Sequence, residues 1–96
     1  MKIIVAYDIG DHRNRERFAR FLMRKGLERI QRSLFIGRGS GQKIKDIVRY
    51  ASKIIDPSND CVHVFMLGDN EYLQAKIIGK PWSSGGGDIV QIATII

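Results

Sequence analysis

The chain of 96 residues is long enough for one small domain and too short for two. Its makeup, 44% hydrophobic and 27% charged, is that of a soluble globular protein, and no apolar run nears the ~20 residues that span a bilayer, so no membrane partner is expected. The net charge of +6 is concentrated: residues 11–32 carry eight arginines and lysines against three acids, a pattern that suits a polyanion or a solvated helix face.

Residues 2–8 read as a β-branched strand stopped by Asp-Ile-Gly-Asp. Both alternating sets, Ile3/Val5/Tyr7 and Ile4/Ala6, are apolar, so cover is expected on both faces. Residues 11–25 read as a helix, with Asp11 as N-cap and Gly26 as stop. At helical spacing Phe18, Ala19, Phe21 and Leu22 share one side, and Arg13, Arg17, Arg20 and Arg24 form a stripe on the other. Arg15 leaves that stripe and projects toward the end of the first strand.

Residues 27–36 read as one strand and residues 37–41 as a glycine-rich loop. A second helix is expected over residues 42–55, capped by Ser40, with Ile44, Ile47, Val48, Ala51 and Ile54 or Ile55 on its apolar side and Pro57 beyond its end. Residues 60–67 form a third strand. A turn at Gly68-Asp69-Asn70 then leads to a fourth, residues 71–78, antiparallel to the third. Residues 1–78 make the domain. Residues 79–87 read as a linker, and residues 88–96 as an apolar strand that must pair with a sheet, preferably a partner's, or remain an aggregation hazard.

Few residues carry a chemical signature. No Cys/His cluster has zinc spacing, no Ser-His-acid set is present, and the glycine-rich loop lacks the Walker lysine. Cys61 cannot form an internal disulfide, which fits a cytoplasmic location; it is expected to be a buried thiol, and His63 a packed residue. Asp8 stands at the strand end beside the cationic helix. It can be a turn-former, or it can hold a hard cation against a phosphate, most readily if a two-fold axis duplicates it.

Tyr7-Asp8-Ile9, Arg15, Arg17, Gly26-Leu27, Arg29, Gln31, Ser33, Phe35 and Gly37 together closely resemble the Cas-two family of CRISPR-associated proteins. The likeness covers the first 37 residues well and the rest by length and element order. Arg32 departs from it, standing where an aromatic is common. The resemblance implies an α+β, ferredoxin-like sandwich, with an antiparallel sheet carrying two helices on one face. It also implies a homodimer whose C-terminal strand joins the partner's sheet. The βαββαβ order of that fold requires a hairpin hidden within residues 27–43 or 60–78.

By the same resemblance Asp8 is the metal ligand, for Mg²⁺ or Mn²⁺, and Asp8, Tyr7, Arg15, Arg17, Arg29 and Phe35 match positions linked with nuclease activity. Arg13, Arg17, Arg20 and Arg24 would track a nucleic-acid backbone. One implied function is CRISPR adaptation as a metal-dependent endonuclease hydrolysing phosphodiester bonds in RNA or DNA. The alternative is a non-catalytic dimeric adaptor that binds duplex DNA and bridges units of the CRISPR-associated integrase. A toxin-type ribonuclease relative and a regulator that binds no nucleic acid are the remaining readings.

Overall fold

The computed structural model describes residues 1–82. The expected C-terminal strand, residues 88–96, lies outside the described residues. Strand β1 (Lys2–Asp8) is followed by helix α1 (His12–Arg24), strands β2 (Glu28–Gln31) and β3 (Leu34–Arg38), helix α2 (Gly41–Ile54), strand β4 (Cys61–Leu67) and the short helix α3 (Asp69–Leu73). The sheet order is β2-β3-β1-β4, and every pairing is antiparallel. This is the βαββαβ arrangement of a ferredoxin-like α+β fold.

The expected strand over residues 27–36 is in fact the hidden hairpin. Arg32 and Ser33 form its turn, and Ser33 O accepts the Tyr7 N–H at 3.1 Å. The register shifts between Arg29 and Gln31, leaving Ile30 as an extra residue on β2. The expected fourth strand, residues 71–78, does not form: Glu71, Tyr72 and Leu73 belong to α3, and beyond them only Ile77 makes an isolated bridge. Gly68 is the N-cap of α3, and Asp69 and Glu71 fall in its first turn, where carboxylates favour a helix start.

Both long helices form for local reasons visible in the caps. The Asp11 carboxylate accepts the Asn14 N–H at 2.8 Å, and Ser40 Oγ accepts the Lys43 N–H at 3.2 Å. Gly26, at φ +88°, ends α1 in the left-handed region. Gly37 lets β3 pass close to the segment that leads into β2: a Cβ there would lie 3.0 Å from Leu27 Cα.

The helices cover one face of the sheet. Ile3, Val5 and Tyr7 of β1 and Phe35 of β3 point into that layer and meet Phe18, Ala19 and Leu22 of α1 and Ile47 and Ala51 of α2, all buried. Tyr7 meets Phe18 edge-on at 5.1 Å, and Phe21 stacks on Tyr50 at 4.1 Å between the helices. Lys25 and Asp46 add a bridge of 3.0 Å between the same helices, and Lys25 holds the Asp46 carboxyl below its usual range. Val48, placed on the apolar side of α2 by its spacing, is exposed instead.

Alternation through the paired registers puts Ile4, Ala6, Leu34, Ile36, Phe65 and Leu67 on the opposite face. The expectation of cover on both faces of β1 is not met within the described residues of one copy. Ile4 and Ala6 are only half-buried, and Phe65 is 52% exposed. Cys61 and His63 share this open face, so both are exposed, contrary to the expected buried thiol and packed histidine. His63 stacks on Phe65 at 5.7 Å, and its Nδ1 lies 3.6 Å from Cys61 Sγ.

Candidate nucleic-acid interface and carboxylate site

Asp8 is the last residue of β1. It is exposed, on the open face, and opposite Cys61 of β4. The next two residues, Ile9 and Gly10, are held from three sides. The side chain of Ile9 is buried. The Gly10 N–H donates to Asp60 Oδ1 at 3.0 Å, and Arg15 donates to Ile9 O at 2.9 Å and Gly10 O at 3.3 Å. The strand end that carries Asp8 is therefore tied to α1 and to the turn before β4.

Asp60 also accepts the Asp56 N–H at 2.9 Å and the Asn59 amide at 3.3 Å. These bonds, that from Gly10 foremost, hold its carboxyl below the usual carboxylate range. Asn14 completes the tie by donating to Ile54 O at 3.0 Å. Sequence reasoning missed Asp60; its only signal was the Asp-Pro-Ser-Asn-Asp run, which forms a turn around that carboxylate.

Arg15 does point toward the strand end, and three contacts engage its guanidinium within the chain. Besides the two carbonyls, Nη2 lies 2.9 Å from His12 Nδ1. A guanidinium cannot accept, so this contact is a hydrogen bond only with His12 Nδ1 as the acceptor. The α1 stripe behaves differently. Arg13, Arg17, Arg20 and Arg24 are all outside the core, and among the described residues none of them has an ion-pair or hydrogen-bond partner beyond the helix backbone. Asp11, His12, Arg13, Asn14 and Arg17 line an open concavity of about 630 Å³ at the start of that stripe.

Tyr7 and Phe35 lie in the core. Tyr7 is 7% exposed, and among the described residues its hydroxyl has no partner. Phe35 is fully buried and stacks on Tyr7 at 6.1 Å, so its ring packs the interior and has no free face for a base. Arg29 sits half-buried above Phe35, with its guanidinium carbon 5.1 Å from the ring centre. The structure thus sorts the expected site residues into three places. Asp8 lies on the open sheet face, Arg13, Arg17, Arg20 and Arg24 on α1, and Tyr7, Arg29 and Phe35 on the helix side.

No helix among the described residues is long and apolar enough to cross a membrane. Comparison with known proteins agrees with the fold. A family model described as "CRISPR associated protein Cas2" matches residues 1–75. A CRISPR-associated endoribonuclease Cas2 of Thermofilum pendens is 36% identical over 77 residues, 80% of this chain and 82% of the relative. A second such endoribonuclease, from Pyrobaculum aerophilum, is 37% identical over 81 residues, 84% of this chain and 89% of the relative. Among solved structures, Cas2 of Streptococcus pyogenes superposes with a TM-score of 0.71 at 22% identity, over 82% of this chain and all of the other. A hypothetical protein from Thermus thermophilus gives the same score at 26% identity, over 85% and 94%.

Proposed function

This chain belongs to the CRISPR-associated Cas2 family, and we propose that two copies of it cooperate as a metal-dependent endonuclease that hydrolyses phosphodiester bonds in RNA or DNA. The observation that carries this reading is the place of Asp8, exposed at a strand end on the open, apolar face of the sheet. Two copies burying that face against each other would bring two Asp8 carboxylates toward one axis.

Among the described residues no three His, Cys, Asp or Glu side chains converge on a point, so one copy alone makes no cage for a cation. Two carboxylates suit Mg²⁺, which keeps several waters and takes one or two such ligands, and Mn²⁺ shares that preference. Bound there, the ion would polarise a phosphate oxygen and activate water. The chain's own part is positional. Arg15 and Asp60 hold the strand end, Tyr7 and Phe35 pack beneath it, and Arg17 offers a free guanidinium to the substrate phosphates.

The test is hydrolysis of labelled RNA and duplex DNA with Mg²⁺, with a chelator, and by Asp8→Asn. Loss of cleavage in the last two is expected; activity unchanged by Asp8→Asn would overturn the catalytic role.

The unpaired stripe on α1 favours a second reading, an adaptor that holds duplex DNA and bridges units of the CRISPR-associated integrase. Charge reversal at Arg13, Arg17, Arg20 and Arg24 should then abolish duplex binding without affecting folding. Binding that survives the reversal would count against the adaptor.

A further inference from the structure

The chain after α3 returns to the far edge of the sheet and is fastened at the β2 bulge. Ile30, the extra residue there, has no partner in β3, and its carbonyl accepts the Trp82 N–H at 2.9 Å. This places the Trp82 ring beside two guanidiniums, with Arg29 5.5 Å and Arg32 5.8 Å from its centre. Arg29 thus lies between two aromatic rings, Phe35 and Trp82.

The cluster is unfinished as a packing unit. Among the described residues neither arginine has a carboxylate partner, and the buried Arg29 Nε has no acceptor. A buried donor without an acceptor carries a desolvation cost that a bound anion would relieve. Trp82 is outside the core and 39% exposed, although it is the largest side-chain type in the chain. A partly exposed indole beside two guanidiniums without carboxylate partners combines the two contacts a nucleotide needs, an aromatic surface for the base and positive charge for the phosphate.

We propose that Trp82, Arg29 and Arg32 form a nucleobase-stacking subsite that takes an unpaired nucleotide, with Trp82 as the residue that selects for it. The proposal rests on the reading that this chain binds nucleic acid, and it adds a contact of a different kind from the α1 stripe. The stripe offers charge alone and tracks a backbone whether or not its bases are paired. The Trp82 subsite needs a base free of its own stack, at a strand end, a loop or a single-stranded stretch. Arg32 and Ser33 form the turn that meets Tyr7, so the subsite belongs to the end of the sheet where β1 delivers Asp8.

Trp82 is the only tryptophan in the chain, so its emission reports the subsite directly. The full chain is titrated with single-stranded oligoadenylate and with a blunt duplex of equal length, and binding is monitored in parallel by anisotropy of the labelled nucleic acid. Oligoadenylate should quench Trp82. Trp82→Ala should weaken oligoadenylate binding roughly 5- to 150-fold while leaving duplex binding unchanged, and Trp82→Phe should restore most of the loss. Arg32→Ala should lower the slope of log affinity against log salt by about 0.7 for the single strand.

The inference is overturned if oligoadenylate binds with no change in Trp82 emission, or if Trp82→Ala binds it as tightly as the parent chain. Duplex binding that persists in either case leaves the α1 reading intact, so the two can fail separately. A chain that binds neither nucleic acid overturns both.

Discussion

Arg15 offers the sharpest separation of structural from chemical roles, because both of its Nη atoms already have partners within the chain before any substrate arrives. In Arg15→Ala the bond to Ile9 O at 2.9 Å is lost in a half-buried setting, together with a longer, exposed bond to Gly10 O. A hydrogen bond from a charged group contributes about 1.5–3 kcal/mol, and the longer bond adds little. For a domain of this size each kcal/mol moves Tm by about 4–8 °C, so a fall of roughly 6–24 °C is expected by scanning calorimetry. Cleavage should fall with stability and recover at lower temperature, because the loss acts through the position of Asp8. Arg17→Ala is the control. Its side chain is unpartnered and outside the core, so stability should stay within about 0.5 kcal/mol while nucleic-acid affinity drops. An Arg15→Ala protein with unchanged Tm and no activity would refute this reasoning and put Arg15 on the substrate.

Acid should unfold the protein partly through Asp60. Its folded pKa is lowered, so its contribution is present above the unfolded value of about 3.8 and disappears as pH falls through the folded one. Asp60→Asn should remove that part of the acid transition in circular dichroism; an identical acid limb would contradict the role given to the Gly10 bond. Phe18→Ala empties the centre of the helix–sheet layer and should cost about 3–5 kcal/mol in urea unfolding, a change under about 1 kcal/mol being incompatible with the packing described. If all four arginines of the α1 stripe meet phosphates of duplex DNA, log affinity should fall with log salt at a slope near about −3.6, and a slope near zero would exclude that contact.

Most of the architecture was legible because its signals were local. The Asp11 and Ser40 caps, the Gly26 stop and the phase of Phe18, Ala19 and Leu22 each determine one feature without help from distant residues. The β2–β3 hairpin was hidden because its turn, Arg32-Ser33, contains neither glycine nor asparagine. Ile30, Leu34 and Ile36 keep one parity across the turn and so imitate an unbroken strand. Helix α3 was hidden by the opposite error. Gly68-Asp69-Asn70 carries a turn signal, and the same residues cap and open a helix.

The site divided along the same line. Asp8 and the α1 stripe could be placed from one strand and one helix. The clamp by Asp60 spans 50 positions in sequence, and the link from Trp82 to Ile30 spans a comparable distance, so neither could be read from a local pattern. The misjudged exposure of Cys61 and His63 has a related cause. An apolar strand run implies burial, but β4 is an edge strand and its outer face is left open in a single copy.

The central claim is that one active site needs Asp8 from two copies. It is tested most directly by mixing unfolded wild-type and Asp8→Asn chains in equal amounts, refolding them, and measuring cleavage per total protein. If both carboxylates are required, only pairs of wild-type chains act and activity should fall to about one quarter of the wild-type value. Activity of about one half would mean that each copy works with its own Asp8 and would contradict the shared site.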